Sequence, residues 1–142
     1  MSETEERQGS PWAQDVGSVV EEMRPGYARL SLLIERRHTN FDGSVHGGVI
    51  SSLMDSAMGA ALHGAHDPSD ADLLGHTTIE MNVSYLKAAR LGDRVVAEAH
   101  LLRKGRTLAV GEVEVRHPSG DLAAKGRLTY FIRRRGREEA KA

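Results

Sequence analysis

The sequence predicts an α+β domain in which an antiparallel sheet wraps around one long helix. Three observations predict this class. Residues 46–63 carry apolar side chains at spacings of three and four, and these cover most of the helix circumference, so the helix should be buried on nearly all sides. One stretch before it and four after it alternate with a period of two. Turn-forming residues separate these stretches, which favours consecutive antiparallel strands.

The elements follow in a simple order along the chain. The predicted strands cover residues 27–35, 79–85, 95–102, 107–116 and 122–133. The loop at 38–44 leads into the helix, and the polar segment at 66–70 ends it. Residues 117–121 read as a hairpin turn between the last two strands. A chain of 142 residues with this pattern forms one domain.

The two ends of the chain are polar and poor in core-forming residues. We therefore expect a partly flexible leader at 1–26, the folded domain at 27–133 and a charged tail at 134–142. No apolar stretch reaches the roughly 20 residues that a membrane span needs, and no basic start precedes an apolar run. The expected location is cytoplasmic, without a membrane partner.

Composition excludes several functional classes. Nineteen basic and 20 acidic residues give a formal charge of −1, which argues against a nucleic-acid partner. Cysteine is absent, so thiol nucleophiles, disulfides and thiolate metal sites are excluded. Among the seven histidines, His63 and His66 are three residues apart without a third ligand at convincing spacing, so we predict no metal site.

Gly47 and Gly48 lie where the helix begins. The first turn of a helix has unpaired N–H groups and a partial positive charge, and glycine lets another group approach that backbone closely. Such a helix start can stabilise an oxyanion, such as the developing charge on an attacked carbonyl. The alternative is a glycine-rich helix entry without a chemical role.

Asp55 is a carboxylate in the middle of the most apolar helix. It either reaches water in a cleft or is a structural acid with satisfied hydrogen bonds. It follows Gly47 by eight residues, about 12 Å along one helix, so one helix cannot bring both to one carbonyl. Two antiparallel copies about a two-fold axis can. If Gly47 and Asp55 act together, the protein is a homodimer with a shared site.

Thr77 and Thr78 precede the predicted strand that carries Glu80, Asn82 and Ser84, and regular alternation places Thr78 on the same face as these three residues. Its hydroxyl could hold a water molecule or orient a carboxylate. The alternative is a threonine that merely favours the start of a strand.

These motifs together resemble those of one known family. The residues that carry the resemblance are Asn40-Phe41-Asp42-Gly43-Ser44-Val45-His46-Gly47-Gly48, Leu53-Met54-Asp55, the strand from Thr78 to Tyr85 and Lys104-Gly105-Arg106-Thr107-Leu108-Ala109. The sequence resembles hotdog-fold thioesterases of the phenylacetate-degradation (PaaI-like) type, including the thioesterase superfamily member 2 group, over residues 28–132. The resemblance implies a hotdog fold, dimers formed through the sheets, homotetramers, and active sites shared between subunits.

The resemblance also implies roles for single residues. Gly47 would donate its N–H to the thioester oxygen, while His46 and Asn40 would order the loop and the thioester end of the substrate. Asp55 of the partner subunit would act as general base or nucleophile. Thr78 would position the water or the carboxylate, at a position where the family often has serine. This chemistry needs a donor for the carbonyl oxygen, a base and a leaving thiolate, and no metal or redox cofactor. Coenzyme A enters as part of the substrate.

Coenzyme A carries phosphates, so basic residues are candidates to bind it. The expected substrate-binding residues are Gly48, Met58, Lys87, Arg103, Lys104, Gly105 and Arg106, of which Met58 would line an acyl pocket with Met54 and Leu62. Basic residues at strand ends also occur simply as solvated side chains. The sequence thus predicts an acyl-CoA thioesterase acting on an acyl- or aryl-CoA. The alternative is a non-catalytic hotdog protein that binds acyl-CoA as a sensor or carrier.

Overall fold

A six-stranded antiparallel sheet lies against one long helix in the computed structural model, which describes Ser2 and residues 9–136. The helices are α1 (Pro11–Val16) and α2 (Gly47–Ala65), with one 3-10 turn at Arg36–His38. The strands are β1 (Val19–Arg24), β2 (Tyr27–Leu33), β3 (Leu73–Tyr85), β4 (Arg94–Lys104), β5 (Leu108–Arg116) and β6 (Leu122–Arg134). The predicted α+β class is confirmed.

The strands lie side by side in the order β1-β2-β4-β5-β6-β3, so β1 and β3 form the two edges. Every neighbouring pair is antiparallel. Helix α2 packs on the sheet, chiefly against β2, β4 and β5. No helix in the described part of the chain has the length and apolarity to cross a membrane.

The core lies between α2 and the sheet. The residues that α2 buries recur at helical spacing: Ile50, Leu53, Met54, Ala57, Met58, Ala61 and Leu62. Two strand glycines let the helix approach closely, because a Cβ at Gly111 would collide with the Met58 sulfur and one at Gly126 would lie 2.9 Å from Met54 Cε. Met58 is therefore fully buried against β5 and does not line the acyl pocket that the sequence analysis expected.

The N-terminal segment contains two elements that the sequence analysis did not predict. Helix α1 begins at an N-cap, where the Ala13 N–H donates to Ser10 Oγ at 3.2 Å, and it ends at Gly17 with a φ of 89°. Strand β1 then pairs with β2, so two strands precede α2 where one was expected. Part of the predicted leader and the tail from 137 onward lie outside the described residues.

Strand β3 begins earlier than predicted and contains a bulge. Thr78 pairs with Tyr130 and Glu80 with Thr129, which leaves Ile79 as the extra residue, 56% exposed. The bulge shifts the alternation by one residue, so Thr78 points toward α2. The prediction that Thr78 shares a face with Glu80 is wrong for this reason.

Candidate active site

The start of α2 presents one backbone donor without a partner. His46 is the N-cap; its Nδ1 accepts from the Gly48 N–H at 2.9 Å, and its carbonyl accepts from the Val49 N–H at 2.9 Å. Within residues 9–136, no group accepts a hydrogen bond from the Gly47 N–H. The His46 cap thus occupies Gly48 and leaves the half-buried Gly47 as the available donor.

The loop before α2 is braced by its own hydrogen bonds. The Asn40 N–H donates to the Ser44 carbonyl at 2.8 Å, and the Asn40 side chain donates to the Val45 carbonyl at 3.4 Å. Arg90 donates to the Asp42 carbonyl at 2.6 Å. Asn40 therefore lies in the loop that positions the helix start.

Asp55 lies two turns further along α2, half-buried. Its Oδ1 accepts from Thr78 Oγ1 at 2.7 Å and from the Tyr130 hydroxyl at 2.5 Å. Both donors lie on the core side of the sheet, on β3 and β6. A carboxylate removed from bulk water needs such donors, since an unpartnered one would be strongly destabilising. No described residue binds Oδ2, which remains available for a substrate or water.

The structure adds Tyr130, which lies within the predicted strand at 122–133 but was not among the candidate site residues. Burial raises the pKa of Tyr130, and the negative charge of Asp55 raises it further, so the hydroxyl stays protonated and donates. A tyrosine on a buried strand face indicates that its hydroxyl has a partner. The sequence does not indicate which partner.

Two histidines extend this cluster. The His76 ring meets the Tyr130 ring edge-on at 5.3 Å between centroids, and His76 Nδ1 lies 3.0 Å from His66 Nε2. Burial lowers the pKa of both imidazoles, that of His66 to about 4. Both rings are therefore neutral near pH 7. In the sequence, His66 was a candidate only as a metal ligand, and His76 was not among the candidate residues.

Two cavities flank the site. The larger, about 810 Å³, is bordered by Asp55, Thr78 and Tyr130 and extends to α1. The smaller, about 320 Å³, is bordered by Gly47, Tyr85 and Lys87. The donor and the carboxylate thus belong to different cavities of one chain. This agrees with their separation of eight residues, about 12 Å, on the same helix.

The predicted coenzyme A-binding residues lie at two distant places. Lys87 borders the smaller cavity and forms an ion pair with Asp121 at 2.8 Å. Arg103, Lys104, Gly105 and Arg106 end β4 and form its turn into β5, where the Gly105 N–H donates to the Leu108 carbonyl. The charge of Lys104 acts on His66, so this turn lies at the C-terminal end of α2. Within one chain it does not meet Gly47.

The fold and the site together define a class: a hotdog-type sheet around one helix, with an unpaired helix-start N–H and a carboxylate that hydroxyls hold. Comparison with known proteins agrees. Residues 42–124 match the model of the thioesterase superfamily. Acyl-coenzyme A thioesterase 13 of Homo sapiens is 33% identical over 109 residues, which is 76% of this chain and 74% of that protein.

Solved structures extend the similarity. A variant of the phenylacetic acid degradation protein PaaI from Thermus thermophilus superposes with a TM-score of 0.77 at 26% identity, over 86% of this chain and 98% of that one. A hypothetical thioesterase from Streptococcus pneumoniae, solved with coenzyme A, gives 0.74 at 25% identity, over 84% and 89%. The chain belongs to the thioesterase superfamily. It is a PaaI-like hotdog protein and a thioester hydrolase.

Proposed function

We propose that this thioester hydrolase cleaves acyl-CoA to a free acid and coenzyme A. One observation carries the proposal: the Asp55 carboxylate faces a cavity and is held at one oxygen by two hydroxyls. No described residue binds its other oxygen or accepts from the first N–H of the same helix. The similarity to an acyl-coenzyme A thioesterase and to a structure solved with coenzyme A supports the choice of substrate.

The Gly47 N–H donates to the thioester oxygen in this mechanism. Negative charge develops on that oxygen when the carbonyl is attacked, and a donor fixed in advance stabilises it without reorganisation. The partial positive charge of the α2 N-terminus adds to this effect. His46 and Asn40 act through the loop: His46 occupies the Gly48 N–H, and Asn40 fixes the turn that leads to Gly47.

Asp55 activates the attack through Oδ2. As general base it takes a proton from water, the hydroxide adds to the carbonyl, and the C–S bond breaks to release the thiolate. As nucleophile it forms a mixed anhydride with loss of the thiolate, and water then hydrolyses the anhydride. Thr78 and Tyr130 hold Oδ1 in either route, so both routes use the same geometry.

A homodimer completes the site, because donor and base lie about 12 Å apart on one α2. Two α2 helices side by side and antiparallel place Gly47 opposite Asp55 of the partner subunit. The edge strand β3 has an unpaired side through which the sheets of two protomers can join. Exposed Leu102, Leu108 and Phe131 give a second dimer an apolar surface on which to form the homotetramer.

The same antiparallel arrangement explains the separation of the basic residues. It sets the C-terminal end of the partner's α2 beyond the start of this one. The β4–β5 turn of the partner, with its arginines and Lys104, then approaches the Gly47 end, where Lys87 already borders the smaller cavity. Both can meet the coenzyme A phosphates there.

A mixing experiment tests the shared site. Asp55→Asn and Gly47→Pro should each lose thiol release from acyl-CoA. After the two are unfolded and refolded together, each mixed dimer regains one intact site, made from the Gly47 of one subunit and the Asp55 of the other. Random mixing predicts about a quarter of the wild-type activity.

No recovery, although mixed dimers form, would show that both groups act within one subunit. Unchanged turnover by Asp55→Asn alone would remove Asp55 from the mechanism. Stoichiometric binding of acyl-CoA by the wild type, without thiol release, would favour the non-catalytic alternative.

A further inference from the structure

The larger cavity has two chemically different ends. At one end lie Asp55 and the two hydroxyls that hold it. The rest of the lining is mostly apolar and comes from α1, β1, β2 and α2, through Trp12, Val20, Met23, Leu30 and Ala60, with the polar Gln14 and Ser18 among them. A polar reacting group beside an apolar recess is the usual layout of a site that orients a substrate by one group and buries the rest.

Helix α1 holds Trp12 at the edge of this recess. The helix is packed against the core by Val16, which is buried and lies outside the cavity lining. The Val16 carbonyl lies 2.7 Å from His38 Nε2 and accepts from Arg37 at 3.2 Å, so the C-terminal end of α1 is tied to the 3-10 turn. Trp12 is nonetheless 59% exposed. An anchored helix thus presents a large aromatic surface to the cavity.

The charges around the cavity decide which half of a thioester can enter it. Among the described residues that line it there is no lysine or arginine, and Asp55 is the one carboxylate. The lining histidines are His63 and His76, and burial lowers the pKa of His76. Coenzyme A carries phosphates, which need cations. The smaller cavity, beside Gly47, has Lys87 at its border instead.

We infer that the Asp55 cavity receives the acyl half of the substrate, that it selects uncharged apolar acyl groups, and that Trp12 forms the wall that limits their length. This inference rests on the proposed function. A carboxylate at the far end of the acyl group would enter a recess to which no lysine or arginine among the described residues contributes, and would lie beside Asp55. Both the desolvation of that carboxylate and its repulsion by Asp55 oppose binding.

The charge selectivity is tested with two substrates of equal chain length. The wild type should hydrolyse hexanoyl-CoA with a kcat/KM about a hundredfold above that for adipoyl-CoA, which differs by a terminal carboxylate. Equal values for the two substrates would overturn the assignment of the cavity to uncharged acyl groups.

The role of Trp12 is tested by chain length. In Trp12→Ala, the ratio of kcat/KM for decanoyl-CoA over hexanoyl-CoA should rise about tenfold, because the truncated wall gives room for further methylenes. Leu91→Ala is the matched control: Leu91 is 58% exposed and lies outside both cavities, so its ratio should stay at the wild-type value. An unchanged ratio in Trp12→Ala would overturn the role of Trp12.

Fluorescence gives a readout that does not depend on turnover. Trp12 is the single tryptophan of the chain. In the Asp55→Asn variant, hexanoyl-CoA should change the tryptophan emission and free coenzyme A should leave it unchanged. An equal response to both would place the coenzyme A half, not the acyl half, beside Trp12.

The two proposals fail in different ways. If the wild type releases no thiol from any acyl-CoA, the proposed function is wrong. Suppose instead that it releases thiol, that Trp12→Ala keeps the wild-type chain-length ratio, and that hexanoyl-CoA leaves the Trp12 emission of Asp55→Asn unchanged. In that case only the acyl-pocket assignment is wrong.

Discussion

Gly47→Pro deletes the backbone donor assigned to the thioester oxygen with little structural change. Gly47 is the first residue of α2, the position where a helix accepts proline because its N–H has no intrahelical partner. The preceding His46 has φ −64° and ψ 130°, the extended conformation that a residue before proline prefers. The helix should therefore form as in the wild type.

Gly47→Ala is the matched control. A Cβ at position 47 lies 3.4 Å from ring atoms of Tyr85, and both variants add that atom. Alanine keeps the N–H and proline removes it, so the two variants differ mainly in the donor. The Gly48 N–H cannot replace the lost donor, because it is bound to His46 Nδ1.

The expected effect follows from the loss of one oxyanion donor. Such a loss lowers kcat by about 10²- to 10³-fold, equivalent to about 2.7–4 kcal/mol of transition-state stabilisation. Thiol release from acyl-CoA measures kcat and KM for both variants, and urea unfolding checks that both are folded. If folded Gly47→Pro turns over as fast as Gly47→Ala, the Gly47 N–H is not the oxyanion donor.

Three further predictions follow from the packing around the site. Tyr130→Phe should lower kcat about tenfold, since the carboxylate of Asp55 loses a charge-assisted hydrogen bond that fixes its orientation; thiol release measures this. The free energy of unfolding should fall as the pH drops from 6.5 to about 4, because the unfolded chain protonates His66 while burial keeps the folded ring neutral; urea unfolding across this range measures it. Gly111→Ala should reduce the free energy of unfolding by about 1–3 kcal/mol, since its methyl group collides with the Met58 sulfur.

Each of these has its own control. Urea unfolding should show that Tyr130→Phe is still folded under the assay conditions, and full activity in this variant would exclude a role for the hydroxyl. His66→Gln should make the free energy of unfolding less dependent on pH. An unchanged slope would mean that other groups cause the pH dependence. Gly47→Ala serves as the comparison for Gly111→Ala, because its added methyl has room; equal stability of both would refute the close helix–sheet contact.

Periodicity alone predicted most of the fold. Apolar residues at helical spacing identified α2, and alternation identified β2, β4, β5 and β6, because burial imposes these periods directly on the sequence. The N-terminal α1 and β1 were missed, since α1 has only six residues and no residue of β1 is buried. The Ser10-Pro11 pair was the signal that could have indicated the start of α1.

The bulge at Ile79 shows why a site cannot be completed from periodicity. An extra residue reverses the side of every residue before it, and no local composition marks it here. Thr78 was chosen for its hydroxyl and does lie near the site, but on the opposite face from the expected one. Its hydrogen bond to Asp55 joins residues that are 23 positions apart in the chain.

The sequence by itself determined the placement of the two candidate groups: a glycine N–H at a helix start and a carboxylate too far along the same helix to share a substrate with it. These properties are local, because they depend only on the rise per residue of a helix and on the lack of intrahelical partners for the N–H groups of its first turn. Only the tertiary structure decided that Tyr130 joins Thr78 at that carboxylate, that Met58 packs into the core, and that α1 borders the larger cavity. Such contacts join distant segments, and their geometry depends on how the whole sheet packs around the helix.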